Sequence, residues 1–316
     1  MSDLLLTMGE TLALLTAVET GPLRHAHDLR VGVGGAESNV AIGVRRLGGR
    51  AAWIGRVGDD ELGELVLRTL RAEGVDVSGA RVDARAATSL MLKEQRTATT
   101  ARVTYYRDGG PGSRLSPADV DPERVAEAGV LHVTGITLAL SDSARAAVHA
   151  AARSAREAGV TVSLDVNYRS SLWGAGAARA ALDELLPFVD VCFVGHGEAV
   201  ALGYDGEPEE VAGELSGAGP DTVVVKRGSR GAIALADGSL CEVAPFRVPA
   251  IDPVGAGDAF AAGYLADLLA GRPLDERLRT AAACGAYAVT ARGDWEALPS
   301  RADLELLEHP DGKVMR

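Results

Sequence analysis

Val130-Leu131-His132-Val133-Thr134, the alanine-rich stretch Ser143 to Ala158, and Val160-Thr161-Val162-Ser163-Leu164-Asp165 follow one another as strand, helix and strand. The two apolar runs are continuous and of strand length, the pattern of strands buried on both faces. The alternation continues through a helical stretch from Ala177 to Leu186 and two more buried runs, Val189 to Val194 and Thr222 to Lys226. Strands that alternate with helices are joined by crossovers, so the pattern predicts a parallel sheet covered by helices on both sides. The fold class is α/β, with a Rossmann-like parallel sheet.

Working outward, the N-terminal part departs from this rhythm. Leu4 to Gly9 reads as a buried strand, but Leu29 to Val33, Ala87 to Leu92 and Ala101 to Tyr106 are strand-like runs without a crossover helix beside each. They predict a small sheet projecting from the main body, drawn from segments about 11–34 and 86–110. There is no internal repeat, low-complexity tail or long linker, and residues 1–316 read as one domain with ample chain for a core.

Composition narrows the partners. Hydrophobic residues are 47% and charged residues 24%, as in an ordinary globular chain, and the formal net charge of −12 argues against a nucleic-acid partner. Only Lys93, Lys226 and Lys313 are lysines; the other basic residues are arginines. Cys192, Cys241 and Cys284 lie far apart without metal or disulfide spacing, which suggests reduced thiols in the cytoplasm. Met1-Ser2-Asp3 has no basic leader, and no apolar run reaches the roughly 18 residues that suggest a membrane span.

The chemistry gathers at Asp252-Pro253-Val254-Gly255-Ala256-Gly257-Asp258, where a loop enters an apolar helix. The preceding Phe246 to Ile251 reads as a short strand or extended segment. Free N–H groups and the positive dipole end make such a helix start an anion site. Asp258 either caps that helix or serves as a base beside a phosphate. Val223 to Ala232 reads as a strand, a basic two-glycine turn and a second strand, suited to an ordinary hairpin or to a nucleotide loop. Walker-type and dinucleotide glycine fingerprints are both missing. Asp165-Val166-Asn167-Tyr168-Arg169 ends a buried strand, where ligands gather in α/β sheets. Tyr105-Tyr106-Arg107 closes a strand of the small sheet, and Glu198 begins a helix.

Gly255-Ala256-Gly257-Asp258 resembles the second signature of the PfkB (ribokinase-like) carbohydrate kinases, and Gly34-Gly35-Ala36-Glu37-Ser38-Asn39-Val40-Ala41 resembles the first. The two stand in the family's order and the likeness covers nearly the whole chain. It implies a ribokinase-like fold whose small sheet is a lid over the sugar. It also implies an ATP- and magnesium-dependent sugar kinase, with a monovalent cation as an open activator and a homodimer or higher homo-oligomer as the expected assembly. Asp258 would be the general base and Gly255, Ala256 and Gly257 the anion hole. Lys226, Arg227, Gly228, Ser229, Arg230, Gly231 and Ala232 would form the nucleotide loop, with Asn167, Arg169, Gly195 and Ala282 also on the nucleotide side. Glu198 would organise magnesium through water.

For the sugar, the resemblance points to Gly35, Ala36, Glu37, Ser38, Asn39, Met91, Tyr105, Tyr106, Arg107, Arg169 and Asp294. The likeness is strongest to 2-keto-3-deoxygluconate kinases, in which a Tyr-Tyr-Arg run reaches the sugar acid. A guanidinium suits such a carboxylate through paired hydrogen bonds. Gly195 and Ala282 replace asparagines of the family and Met91 replaces a tyrosine of that branch, which leaves open a kinase for fructose, ribose or another neutral sugar. A sensor that kept the fold without turnover is the alternative of another class.

Overall fold

The structure is a computed structural model and describes residues 2–97 and 100–308. In chain order the strands are β1 (Leu4–Met8), β2 (Leu12–Thr20), β3 (Leu29–Gly34), β4 (Arg50–Ile54), β5 (Arg56–Gly58), β6 (Arg81–Asp83) and β7 (Leu90–Gln95). They continue with β8 (Ala101–Tyr106), β9 (Val130–Thr134), β10 (Thr161–Asp165), β11 (Val191–Gly195), β12 (Thr222–Lys226), β13 (Ala232–Ala236) and β14 (Ser239–Val243). The main sheet has the order β4-β1-β9-β10-β11-β12-β13-β14; its first six strands are parallel, and β13 and β14 are added through antiparallel pairings. The strands β5 and β6 pair separately.

Alternate residues of the buried runs serve opposite faces. Leu4, Leu6 and Met8 join the core under helices Asp142–Glu157, Ala175–Leu185 and Pro208–Gly217. Leu5 joins the other core, under helices Ala36–Arg46, Ala256–Leu269 and Leu274–Ala288. Helix Asp142–Glu157 begins where Ser141 Oγ accepts the Ala144 N–H at 3.0 Å, and it buries Ala144, Ala147, Val148, Ala151, Ala152 and Ala155 along one stripe. Alanines on that stripe let the helix lie close to the sheet. No helix among the described residues is long and apolar enough to cross a membrane.

The expected strands recur within one or two residues, except near Ala87. There the strand begins only at Leu90, where pairing with Ala13 of β2 starts. The preceding Thr88 is bound elsewhere: its N–H donates to Asp60 Oδ2 at 2.7 Å and its hydroxyl accepts from Gly58 N at 2.8 Å. Leu12–Thr20 is a strand that apolar runs alone did not single out. Phe246 to Ile251 is irregular and forms no strand.

Strands β3-β2-β7-β8 form the small sheet, in that order. Leu12, Leu14, Met91 and Val103 pack together on it and line the same cavity as Asp165, Gly195 and Lys226, the last residues of three parallel strands. Carboxyl ends of parallel strands are where α/β sheets bind ligands.

Candidate active site

The cavity between the two sheets has a volume of about 1220 Å³. Its floor is the start of helix Ala256–Leu269. Gly255 precedes that helix with φ 78, and a Cβ there would stand 2.1 Å from the Asp294 carbonyl oxygen, so the turn requires glycine. No side chain caps the helix, and its first regular bond is Ala259 N to Gly255 O at 2.8 Å. The N–H groups of Gly257 and Asp258, residues on the cavity wall, therefore have no protein acceptor among the described residues.

Asp258 is buried, and Asn39 Nδ2 donates to its Oδ2 at 2.8 Å. Burial pushes its carboxyl up to about 7, helped by Asp165, while the Asn39 bond, Arg169 and Lys226 pull it back. Such a carboxylate can accept a proton near neutrality. Lys226 Nζ donates to both oxygens of Asp165, at 2.7 and 3.0 Å, and stands 3.4 Å from where a Cβ of Gly257 would lie. Burial pulls this ammonium's pKa down, but Asp165, Glu198 and Asp258 outweigh burial and the net direction is upward. It is thus a fixed positive charge beside the helix start.

Glu198 accepts the Gly195 N–H at 2.9 Å and so caps its own helix, His196–Ala201. Burial raises its pKa against the pull of Lys226, and it also lines the cavity. The turn Gly228–Arg230 and Gly231 border the cavity between β12 and β13. Arg227 lines it too, with its Nη2 donating to the exposed Glu242. Ala232 pairs with Lys226 in the ladder and does not reach the wall. Ala282, Phe246 and Val289 supply apolar wall beyond that turn, where Ile251 N donates to Val289 O at 2.7 Å.

At the other end, Arg107 lies over the Tyr105 ring with its carbon 4.9 Å from the centroid. Its Nε donates to Glu10 Oε2 at 2.8 Å and its Nη2 donates to the same oxygen. The positive charge expected to await a substrate carboxylate is already paired. Arg169, on the same wall, enters no ion pair among the described residues. Asp294 lines the wall near Lys93, and burial raises its carboxyl to about 6 although Lys93 opposes the rise.

Several residues expected at the sugar are bound to other partners or lie off the wall. Glu37 lines the cavity but is fully buried, with Oε1 accepting from Thr134 at 2.7 Å and Thr137 at 2.6 Å, so it ties its helix to the end of β9. Ser38 donates to Gly35 O at 3.0 Å and does not line the cavity, and Tyr106 is 60% exposed outside it. Asn39 is on the wall, with its Nδ2 donating to Asp258. Gly35, Ala36, Met91, Tyr105, Asn167, Gly195, Ser229 and Arg230 line the cavity as expected. Missed were Glu10 and Lys93; Asp165 and Asp252 stand in the stretches singled out but without a role of their own. A carboxylate directly after the buried run Leu4–Gly9 was the available signal for Glu10, and a lysine in a chain of arginines was the signal for Lys93.

A parallel sheet whose strand ends meet an uncapped helix start, a buried carboxylate and a fixed lysine on one cavity defines a phosphotransferase. The chain belongs to the family described as pfkB family carbohydrate kinase, whose model matches residues 2–301. It is 39% identical over 307 residues to a 2-dehydro-3-deoxygluconokinase of Thermoproteus tenax, covering 96% of this chain and 93% of that one. It is 37% identical to the enzyme of the same name from Bacillus subtilis, over 94% and 93% of the two chains. Among solved structures, an E. coli protein named as a ribokinase II, in complex with ATP and Mg2+, superposes with a TM-score of 0.89 at 28% identity, over 97% of this chain and 99% of that one. The fold is ribokinase-like, and the chain is a carbohydrate kinase.

Proposed function

We propose that this kinase uses ATP to phosphorylate a primary hydroxyl of 2-dehydro-3-deoxygluconate, with Asp258 as general base. The observation that carries the reading is the buried Asp258 carboxyl, raised to about 7, at the same helix start as the acceptor-free N–H groups of Gly257 and Asp258. Asp258 takes the proton of the attacking hydroxyl as its oxygen bonds to the γ-phosphorus. The bond from that phosphorus to the bridging oxygen breaks, and ADP leaves. Positioning and charge stabilisation dominate such transfers, so the helix start and Lys226 matter as much as the base.

The turn Gly228–Arg230 would lie along the nucleotide phosphates, and Phe246, Ala282 and Val289 would flank its base. Magnesium suits Glu198 acting through water. Among the described residues no three His, Cys, Asp or Glu side chains could hold a metal together, so phosphate oxygens and water would supply the other ligands. When bound, the ion neutralises phosphate charge.

An acidic substrate is supported by Arg169, whose guanidinium enters no ion pair among the described residues, and by the names of the two relatives. A neutral sugar such as fructose or ribose is the second reading, favoured by Glu10, which already neutralises Arg107, and by Met91, which offers a carboxylate no donor. We read the small sheet as a lid over the sugar and its outer side as the surface that joins two copies. Val18, Leu29, Val31 and Tyr106 are exposed on its strands, and unpaired sheet edges invite two-fold pairing. We take the protein to be cytoplasmic, a reading supported by three free cysteines.

The test is kcat/KM with 2-dehydro-3-deoxygluconate, fructose and ribose side by side, with potassium varied to detect activation. Preference for the keto-deoxy acid by about tenfold or more is expected, a factor worth about 1.4 kcal/mol. A neutral sugar in first place would overturn the substrate and keep the kinase.

A further inference from the structure

Both lysines of the described chain end on the cavity wall, each bound to a carboxylate. Lys226 was expected there; Lys93, from β7 of the small sheet, was not. Its Nζ donates to Asp252 Oδ2 at 2.6 Å, with side chains only 6% and 8% exposed. Asp252 opens the turn that leads to Gly255 and the helix start. Its other oxygen accepts the Val254 N–H at 3.2 Å, and its own N–H donates to Val289 O at 3.2 Å.

Between β14 and Ala256 the chain has no helix or strand to stiffen it. The turn therefore depends on a few polar anchors, and Lys93 is the one that comes from the small sheet. We propose that Lys93 is a positioning residue for phosphoryl transfer: its ammonium holds the Asp252 turn and makes the aim of the Gly257 and Asp258 N–H groups depend on where the small sheet sits. A substrate that seats the small sheet thereby also seats the phosphate site. The coupling is reciprocal, so sugar tightens nucleotide binding by the factor by which nucleotide tightens sugar binding.

The alternative is a pair that only stabilises the fold. Removing one partner of a buried ion pair leaves a charge uncompensated, so Lys93→Met alone cannot separate the two. Adding Asp252→Asn removes the orphaned charge, and Lys93→Arg keeps a cation with longer reach. This inference rests on the kinase reading, and wild-type turnover in the same assay checks that reading separately.

The measurements are kcat, KM for ATP, melting temperature, and the affinity for a β,γ-imido analogue of ATP with and without 2-dehydro-3-deoxygluconate. A misplacement of about 1 Å can cost about 10²-fold, so Lys93→Met should lose kcat on that order, with KM for ATP little changed. The variant should also lose the tightening of analogue binding by sugar. Lys93→Arg should recover most of kcat. The double variant Lys93→Met with Asp252→Asn should regain melting temperature without regaining kcat. A double variant that recovers kcat together with stability would overturn the proposal, as would a Lys93→Met variant that keeps the coupling.

Discussion

Asp258→Asn is expected to cost turnover and to add stability in the same molecule. Burial lifts this carboxyl from its usual 3.8 to about 7 in the folded chain. Between about pH 4 and 7 the folded chain keeps a proton that the unfolded chain has released, so stability falls as pH rises through that window and levels off above it. A rise of that size corresponds to up to about 4 kcal/mol. Asparagine has nearly the same shape, carries no charge, and keeps an oxygen that can accept from Asn39. At about pH 8 the variant should therefore gain up to about 4 kcal/mol, or roughly 8 °C in melting temperature at about 2 °C per kcal/mol. At about pH 4 the gain should shrink below roughly 1 kcal/mol, because both proteins are then nearly neutral at that position. Differential scanning calorimetry of the two proteins across this range reads the gap directly, and titrations elsewhere cancel in the difference. Turnover should fall about 10²–10⁴-fold, the usual share of a general base. A gap that stays constant with pH, or a variant with near-normal turnover, would refute the assignment of a strained, proton-accepting carboxylate.

Further outcomes follow from the same geometry. The kcat/KM of the wild type should fall about tenfold per pH unit below about pH 7, because the protonated base is inactive; a flat profile to pH 5.5 would exclude Asp258 as the group seen. Asn39→Ala removes a bond that holds the Asp258 pKa down, so the acidic limb of that profile should move to higher pH, as a pH–rate series would record. Arg107→Ala strands Glu10 as a buried charge and should cost about 3–5 kcal/mol in denaturant unfolding. Because Glu10 already pairs with that guanidinium, the variant's kcat/KM penalty should be about equal with the keto-deoxy acid and with fructose; a larger penalty with the acid would restore a carboxylate role. Arg227→Ala should leave kcat/KM for ATP within about threefold, since that guanidinium is engaged by Glu242.

The parallel sheet and the helix start were legible because their causes are local. Val130–Thr134 and Thr222–Lys226 are short, largely apolar and β-branched, and became the strands with the bounds their patterns suggest. Gly255 reads as a turn residue from its place between a loop and an apolar run, and it adopts the left-handed conformation there. The beginning of β7 was not legible, because Thr88 is held by Asp60 and Gly58 and Ser89 O accepts from Ala13 N. Nothing in the neighbouring residues announces those partners.

The sequence by itself determined the fold class, the alternation of strands and helices from about residue 130, and a helix start suited to an anion at Gly255 to Asp258, since periodicity and glycine placement act over a few residues. Tertiary structure alone decided which charges are free. Arg107 and Arg227 read equally well as anion binders, yet Glu10 and Glu242 pair with them, while Arg169 enters no ion pair among the described residues. Asn39 reads as a sugar contact, yet its partner is Asp258, 219 residues away. Lys93 carries no motif at all, and only the packing of the small sheet brings it to Asp252. Charge pairing depends on distances of a few ångströms between residues remote in the chain, and burial then sets how strongly each charge is felt. Neither quantity is written in local pattern.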